Sequence, residues 1–125
     1  MAAIARGNGT DSVTTGHGCD TTTVTDQCSS NVFVNGIGAC RLGDTIQIHN
    51  INVGDTCVPH IANIIQGSLG VFVNGISVAR LGVRADHGSI ISGSGNVFAG
   101  DTYIYVTMQD GSLVSTQDNA LIVGL

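Results

Sequence analysis

Lysine and glutamate are absent from the sequence: the four basic residues are all arginines and the nine acidic residues are all aspartates. Both missing types are good helix formers, and only one proline accompanies 18 glycines. Valine, isoleucine and threonine together supply 39 of the 125 residues. Because β-branched residues suit strands and glycines suit tight turns, we expect an all-β domain without a long helix.

Charge is also scarce, and this excludes a class of partner. Charged residues make up 10% of the chain, and the formal net charge is −5. Four scattered arginines cannot follow a phosphate backbone, so the sequence predicts no nucleic-acid binding. No apolar run approaches the roughly 20 residues that span a bilayer, and the N-terminus lacks the apolar core of a signal peptide. So little charge on a small chain predicts that a partner covers part of its surface.

One short phrase occurs twice and organises the sequence. Residues 32–37 and 71–76 both read Val-Phe-Val-Asn-Gly-Ile, 39 residues apart, and Arg-Leu-Gly follows each at the same offset. A shorter third copy at 96–100 keeps the phenylalanine. A fixed period indicates a repeat architecture, and an apolar strand before Asn-Gly is a strong hairpin signal. The sequence therefore predicts one small domain built from repeated β-hairpins.

The boundaries of the predicted elements follow from the same pattern. The first complete hairpin unit is predicted over 32–48, with strands at 32–35 and 39–42 around a turn at 36–38. A further strand over 45–48 ends at His49. Residues 50–67 break the period and contain Pro59, so we predict an ordered loop there. Residues 101–125 depart from the repeat of 1–100. Their alternating pattern around Asp110-Gly111 predicts an added C-terminal β-hairpin of the same domain, either core cover or a contact surface.

All four histidines occupy positions that suit a shared metal ion. Three of them follow an arginine of the repeat by 11, 8 and 7 residues, and the fourth comes from the interrupting loop: His17, His49, His87 and His60. Stacked hairpins bring equivalent positions close together at one end, and tetrahedral zinc takes four ligands. The sequence predicts a structural zinc site, whose binding free energy of about 10 kcal/mol would compensate for a thin core.

The four cysteines are even in number but irregularly spaced, and no CxxC motif occurs: Cys19, Cys28, Cys40 and Cys57. Without a secretion signal we expect free, buried thiols, while two disulfides in any of three connectivities stay open. Cys57 precedes His60 by three residues, which is a chelating spacing. Cys57 is therefore an alternative ligand in place of one histidine.

Sequence signatures of catalysis are missing from the chain. No GxSxG, HExxH or P-loop motif occurs. Four aspartates lie near predicted turns, where aspartate commonly caps its own backbone: Asp11, Asp20, Asp44 and Asp86. We therefore expect a protein that is not an enzyme.

Several segments, in this order and spacing, resemble the PAAR-repeat proteins: Ala5-Arg6, Gly16-His17-Gly18, the phrase at 31–36, Cys40-Arg41-Leu42-Gly43-Asp44 and Ala79-Arg80-Leu81-Gly82. The match covers about residues 1–100. The proline of the Pro-Ala-Ala-Arg signature is missing here, and Val83 stands where the family usually has aspartate. The resemblance implies a small cone of β-hairpins, pinned by a metal near its tip, that sharpens the central spike of a contractile injection machine.

The resemblance also implies a ligand set. Family members usually bind zinc through three histidines and one cysteine. Carried over, His17, His49 and His60 match the histidines, and His87 stands at the cysteine position. Ligation by nitrogen alone makes iron an alternative to zinc.

The partners and location are likewise implied by the resemblance. One chain is expected to cap a trimeric β-helical spike protein and to touch the target cell membrane transiently. The lack of an effector-sized extension favours a phage tail baseplate, with the protein at the distal tip of the virion. The alternative is a type VI secretion spike tip, made in the bacterial cytoplasm and then delivered. A small metal-dependent enzyme or toxin is a second hypothesis, and a carbohydrate-binding module is a third.

Overall fold

The computed structural model describes residues 2–100 in full and, beyond them, only the backbone of 103–107 and 113–117. The described strands, in chain order, are β1 Ala2–Ala3, β2 Ser12–Thr14, β3 Thr22–Val24, β4 Phe33–Val34, β5 Ile37–Gly38, β6 Thr45–Val53, β7 Thr56–Asn63, β8 Phe72–Val73, β9 Ile76–Ser77, β10 Arg84–Ala85, β11 Gly88–Ser89, β12 Phe98–Ala99, β13 Tyr103–Thr107 and β14 Leu113–Gln117. No helix forms within this described part, and the all-β prediction is confirmed. Nor does it hold any helix long and apolar enough to cross a membrane.

The strands pair as antiparallel two-stranded ladders, most of them between neighbours in the sequence. The exception joins the two ends of the repeat region, because β1 pairs with β12 through Ala2 opposite Ala99 and Ala3 opposite Phe98. The shortened third copy of the repeat therefore forms its ladder with the N-terminal strand.

The two complete copies form the hairpins β4–β5 and β8–β9. Their turns are Asn35-Gly36, with φ of 56° and 78°, and Asn74-Gly75, with φ of 57° and 76°. Asparagine and glycine tolerate this left-handed backbone, which matches the twist of the flanking strands. The turn predicted at 36–38 lies one residue earlier than expected, so the return strand of the first hairpin begins at Ile37.

Three equivalent segments close around a pseudo-threefold axis. Ala5 donates its backbone N–H to the carbonyl of Ala79, Ala79 donates to Cys40, and Cys40 donates to Ala5, over 2.8 to 3.0 Å. All three residues are fully buried. Each directly precedes an arginine of the repeat. The repeat in the sequence thus becomes a closed ring of backbone hydrogen bonds.

Apolar side chains pack in two clusters along this axis. The hairpin cluster consists of Ile4, Val34, Ala39, Val73, Val78 and Ala99. The histidine-side cluster consists of Ala5, Val13, Cys40, Ile46, Ala62, Ile64, Ala79, Val83, Ala85 and Ile90. The first lies among the repeated hairpins and the second among the strands that carry histidines.

The interruption at 50–67 is not a loop over most of its length, and that prediction was wrong. Strand β6 continues past His49 and forms a long hairpin with β7, in which Asn50 lies opposite Pro59. The N–H and carbonyl of Asn50 bond instead to Asp20, at 2.8 and 2.9 Å. Asn50 and Pro59 therefore make no backbone hydrogen bond to each other. Because β7 needs no N–H donor at this position, proline fits within the strand.

The cysteines form two disulfides, Cys19–Cys57 and Cys28–Cys40, and the expectation of free thiols was wrong. The Cα atoms are 6.1 and 4.7 Å apart, within the usual range for disulfides. Cys57 therefore has no thiolate to offer, and its assignment as an alternative metal ligand was wrong too.

The predicted C-terminal hairpin is confirmed at the level of the backbone. β13 and β14 pair antiparallel, from Tyr103 opposite Gln117 to Thr107 opposite Leu113. The apolar run at 120–123, whose sequence Ala-Leu-Ile-Val predicts one more short strand, lies outside the described residues.

Candidate metal centre

The four predicted histidines lie close together. His17 comes from the loop between β2 and β3, His49 and His60 face each other across the β6–β7 ladder, and His87 lies in the turn between β10 and β11. The ring centroid of His17 is 6.3 Å from that of His49, 5.2 Å from that of His60 and 4.6 Å from that of His87. Elements far apart in the sequence therefore deliver imidazoles to one place.

Glycines allow the loop of His17 and the turn of His87 to approach each other. A Cβ atom on Gly16, where φ is 74°, would overlap the carbonyl group of His87. A Cβ atom on Gly88 would overlap the carbonyl group of Thr14. Larger residues at either glycine would push the two histidines apart.

The loop of His17 is also fastened to the long hairpin. The Cys19–Cys57 disulfide joins the loop to β7, and the backbone N–H of Asp20 donates to the carbonyl of Asn50 on β6. These links hold His17 against the two strands that carry His49 and His60.

Asp86 lies among these histidines, a position that the sequence pattern did not predict. Its Oδ1 lies 2.9 Å from Nε2 of His17 and 3.3 Å from Nε2 of His60, while its Oδ2 lies 2.9 Å from Nε2 of His49. The Asp86 side chain is only 3% exposed. Its backbone adopts φ of 55°, as aspartate tolerates in turns. The sequence does place Asp86 directly before His87, and this neighbourhood could have indicated that the two residues share a site.

The charge of this carboxylate follows from its contacts. Burial by itself raises the pKa of Asp86, but the polar contacts with the rings of His17, His49 and His60 outweigh it and hold that pKa below its ordinary value. Asp86 is therefore an anion at neutral pH, surrounded by imidazole nitrogens.

The orientation of His49 leaves one nitrogen available. Its Nδ1 lies 3.0 Å from the backbone carbonyl oxygen of Gln47. A carbonyl oxygen only accepts hydrogen bonds, so Nδ1 carries the proton of the neutral ring. Nε2, which faces Asp86, then presents a lone pair, as a metal-binding imidazole must.

Comparison with protein families gives a match. The sequence model of the PAAR motif family covers residues 13–92, a span that includes all four histidines and Asp86. The chain belongs to the PAAR motif family. No curated protein matches it. PAAR proteins are spike-tip adaptors of contractile injection systems, and the family is a structural motif rather than an enzyme family. They associate with spike proteins and bind a metal ion.

The donor atoms of this PAAR protein fit a metal ion. Two groups of three potential ligands, His17 with Asp86 and His87, and His49 with His60 and Asp86, each have their donor atoms within 4.8 Å of one another. Imidazole nitrogen and carboxylate oxygen are ligands of both zinc and iron. Both groups contain Asp86, so the carboxylate is common to the two candidate sites.

Proposed function

We propose that this protein is the structural piercing tip that caps and sharpens the trimeric central spike of a phage tail baseplate. One chain would sit on three spike chains, at the distal tip of the virion, and touch the target membrane only during puncture. The backbone ring of Ala5, Cys40 and Ala79 carries the proposal. It gives a single chain the approximate threefold symmetry that docking on a trimer requires.

Three exposed phenylalanines supply the docking surface. Phe33, Phe72 and Phe98 begin β4, β8 and β12, and they are 58%, 58% and 44% exposed. Because these strands are equivalent around the axis, each ring can meet the same site on one spike subunit. Exposed aromatic side chains are frequent anchors of protein interfaces. We name this set the phenylalanine face.

The disulfides support a phage tail rather than a type VI secretion spike. Disulfides persist on virion surfaces and are rare in the cytosol, where thiols are kept reduced. A type VI spike tip, the alternative, would wait in the bacterial cytoplasm before delivery. Both described cysteine pairs are closed, which suits a permanently external location.

A metal ion would stiffen the tip. His17, His49, His60 and His87 are proposed to hold it, with zinc as the metal and iron as the alternative. The ion would supply a cross-link between segments that are distant in the sequence, and no reaction step is needed from it. Its binding free energy would add to that of a core with few large side chains. A small metal-dependent enzyme or toxin would instead need a position open to substrate.

Binding to the spike protein of the same machine tests the proposal. Native mass spectrometry should show one tip chain per three spike chains. Replacing Phe33→Ser and Phe72→Ser together should weaken binding at least about tenfold, since buried aromatic anchors are worth more than 1.4 kcal/mol. The matched control is Ile48→Ser with Ile61→Ser on β6 and β7, residues that are 61% and 67% exposed. It should bind within about twofold of the original chain.

Two results would contradict the proposal. One is a tip that does not bind the spike trimer at all, or binds it with three chains per trimer. The other is a control variant that weakens binding as much as the phenylalanine variant does. Alkylation of intact particles then separates the two machines, because four oxidised cysteines favour a virion and four free thiols favour the type VI alternative.

A further inference from the structure

We propose that Asp86 is itself a ligand of the metal ion, so that the centre combines imidazole nitrogens with one carboxylate oxygen. This inference rests on the metal site of the proposed function and extends it. The family pattern implies a thiolate as the anionic ligand, and His87 replaces that cysteine here. Asp86 supplies the missing negative charge from the neighbouring position in the chain.

The distances around Asp86 are those between adjacent ligands of one ion. Bonds of about 2.0–2.2 Å to a tetrahedral or octahedral ion place neighbouring donor atoms roughly 2.9–3.5 Å apart. The three Nε2 atoms lie 2.9, 2.9 and 3.3 Å from oxygens of Asp86. The carboxylate is therefore placed to share an ion with His49 and His60 on one side, or with His17 and His87 on the other.

The contact between His49 and Asp86 suits a shared metal ion. Nδ1 of His49 donates to the carbonyl of Gln47, so Nε2 of the neutral ring has no proton to donate. It nevertheless lies 2.9 Å from Oδ2 of Asp86, which is also an acceptor. A metal ion between two acceptor atoms at this distance would be bound by both.

Burial of the carboxylate also favours a bound cation. The side chains of Asp86 and His49 are 3% and 2% exposed, so water cannot solvate the carboxylate charge. A buried anion is strongly destabilising unless it is paired or coordinates a metal. The hydrogen-bond partners recorded for its side chain are imidazoles, which are themselves metal-binding groups. A divalent cation would neutralise Asp86 and use the lone pairs of the rings at once.

Metal affinity of the full chain tests the assignment. We would compare the original protein, Asp86→Asn and Asp55→Asn by competition with a chelator, separately for Zn²⁺ and Fe²⁺. Asp55 lies in the exposed turn between β6 and β7, so its variant makes the same charge change outside the cluster. We expect Asp86→Asn to weaken binding more than about 100-fold, beyond the 10–100-fold typical of outer-shell partners. Asp55→Asn should stay within about twofold.

A second measurement uses the original chain and does not depend on how the variant folds. In crystals of the metal-loaded protein, the anomalous scattering peak should lie within about 2.2 Å of an Asp86 oxygen. A peak more than about 3 Å from both oxygens would overturn the inference, and so would an Asp86→Asn variant with unchanged affinity.

The failures of the two proposals can be told apart. If the original chain binds the spike and a metal ion while the Asp86→Asn variant keeps the same metal affinity, that result refutes only the assignment of Asp86 as a ligand. If the original chain binds no metal ion, both the assignment of Asp86 as a ligand and the proposed metal cross-link are refuted. Spike binding, measured separately, decides the piercing tip itself.

Discussion

The backbone N–H of Ala5 donates a hydrogen bond of 3.0 Å to the carbonyl oxygen of Ala79. The same segment pairs again nearby, where Ile4 bridges to Arg80 and Ala3 lies opposite Phe98. The N-terminal residues therefore complete both the central ring and the third repeat. Closing a ring between such distant segments costs loop entropy, which is recovered only once all three segments are present.

A chain without residues 1–6 should fail to fold, because it lacks one side of the ring and the buried Ile4. A chain that ends at Gly100 should keep cooperative unfolding and metal binding, as expected if 101–125 is an extension of the domain. Circular dichroism melting curves of the two truncated chains check this prediction. Equal stability of both chains would contradict the role of the ring.

Gly88→Ala should destabilise the protein by about 2–4 kcal/mol, because its Cβ atom would overlap the carbonyl of Thr14. It should also weaken metal binding, since the turn with Asp86 and His87 precedes it. Gly95→Ala is the control, because a Cβ atom there meets no atom within 4 Å. Its free energy of unfolding, measured in urea, should change by less than about 0.5 kcal/mol. Equal effects of the two substitutions would exclude the steric explanation.

The Cys19–Cys57 disulfide should be reduced before Cys28–Cys40. Both of its cysteines are exposed, whereas Cys40 is fully buried, and thiol exchange requires access to a sulfur atom. Brief treatment with a dithiol followed by alkylation and mass spectrometry should label Cys19 and Cys57 first. Preferential labelling of Cys28 and Cys40 would show that access does not control the order.

Loss of the Cys19–Cys57 disulfide should also lower the free energy of unfolding. Its cysteines are 38 residues apart, for which the chain-entropy model gives about 4 kcal/mol. For Cys28–Cys40, whose cysteines are 12 residues apart, the same model gives about 3 kcal/mol. Cys19→Ser with Cys57→Ser should also weaken metal binding, because the loop of His17 is released. Unchanged metal affinity would mean that the remaining contacts position His17 alone.

Acid should remove the stabilisation contributed by Asp11. Burial raises the pKa of Asp11, but hydrogen bonds from Arg6 and Ser92 outweigh it and bring that pKa below its usual value. A lowered pKa in the folded state means that the stabilisation is complete above the unfolded-state value of about 3.9. It disappears as the pH falls through the lower, folded-state pKa.

The difference in melting temperature between the original chain and Asp11→Asn should therefore be constant from pH 7 to 5. It should shrink below about pH 4, where the original chain loses the same charge. Comparing the two proteins cancels any effect of acid that is common to both, such as the release of a bound metal ion. A difference that persists at about pH 2 would assign the effect to packing and not to charge.

The repeat made much of this fold predictable. Strand composition gave the all-β class, and Asn-Gly after an apolar strand located the turns that Asn35 and Asn74 form. The pairing of β1 with β12 escaped prediction because each strand has two residues and no turn connects them. Long-range pairs of this kind depend on closure of the whole ring, which no local pattern encodes.

Three buried serines precede the repeated hairpins at a constant spacing, and the sequence pattern did not predict their role. Each hydroxyl accepts the N–H of a valine three residues later, from Ser29 to Val32, Ser68 to Val71 and Ser94 to Val97, over 2.9 to 3.0 Å. Their spacing before each valine repeats with the hairpins. Serine is common in turns of all kinds, so the pattern acquires meaning only from its burial.

The metal centre was predictable in part. The spacing of the histidines after the arginines indicated that they would meet, and the structure places their rings together. Asp86 was read as an ordinary turn residue, because its contacts with His17, His49 and His60 exist only in the tertiary structure. The disulfides depend on redox environment as well as on proximity, and composition alone does not report that environment.

Pro59 also affects how molecules of this protein meet one another. Its partner across the ladder, Asn50, is in a pair that makes no bond between the two strands, so the nitrogen of Pro59 faces the outer edge of the long hairpin. A strand from a neighbouring copy would find no N–H donor at Pro59 and could not form a continuous ladder along β7. The hairpin of β6 and β7 is thereby protected against edge-to-edge pairing with another copy at this position.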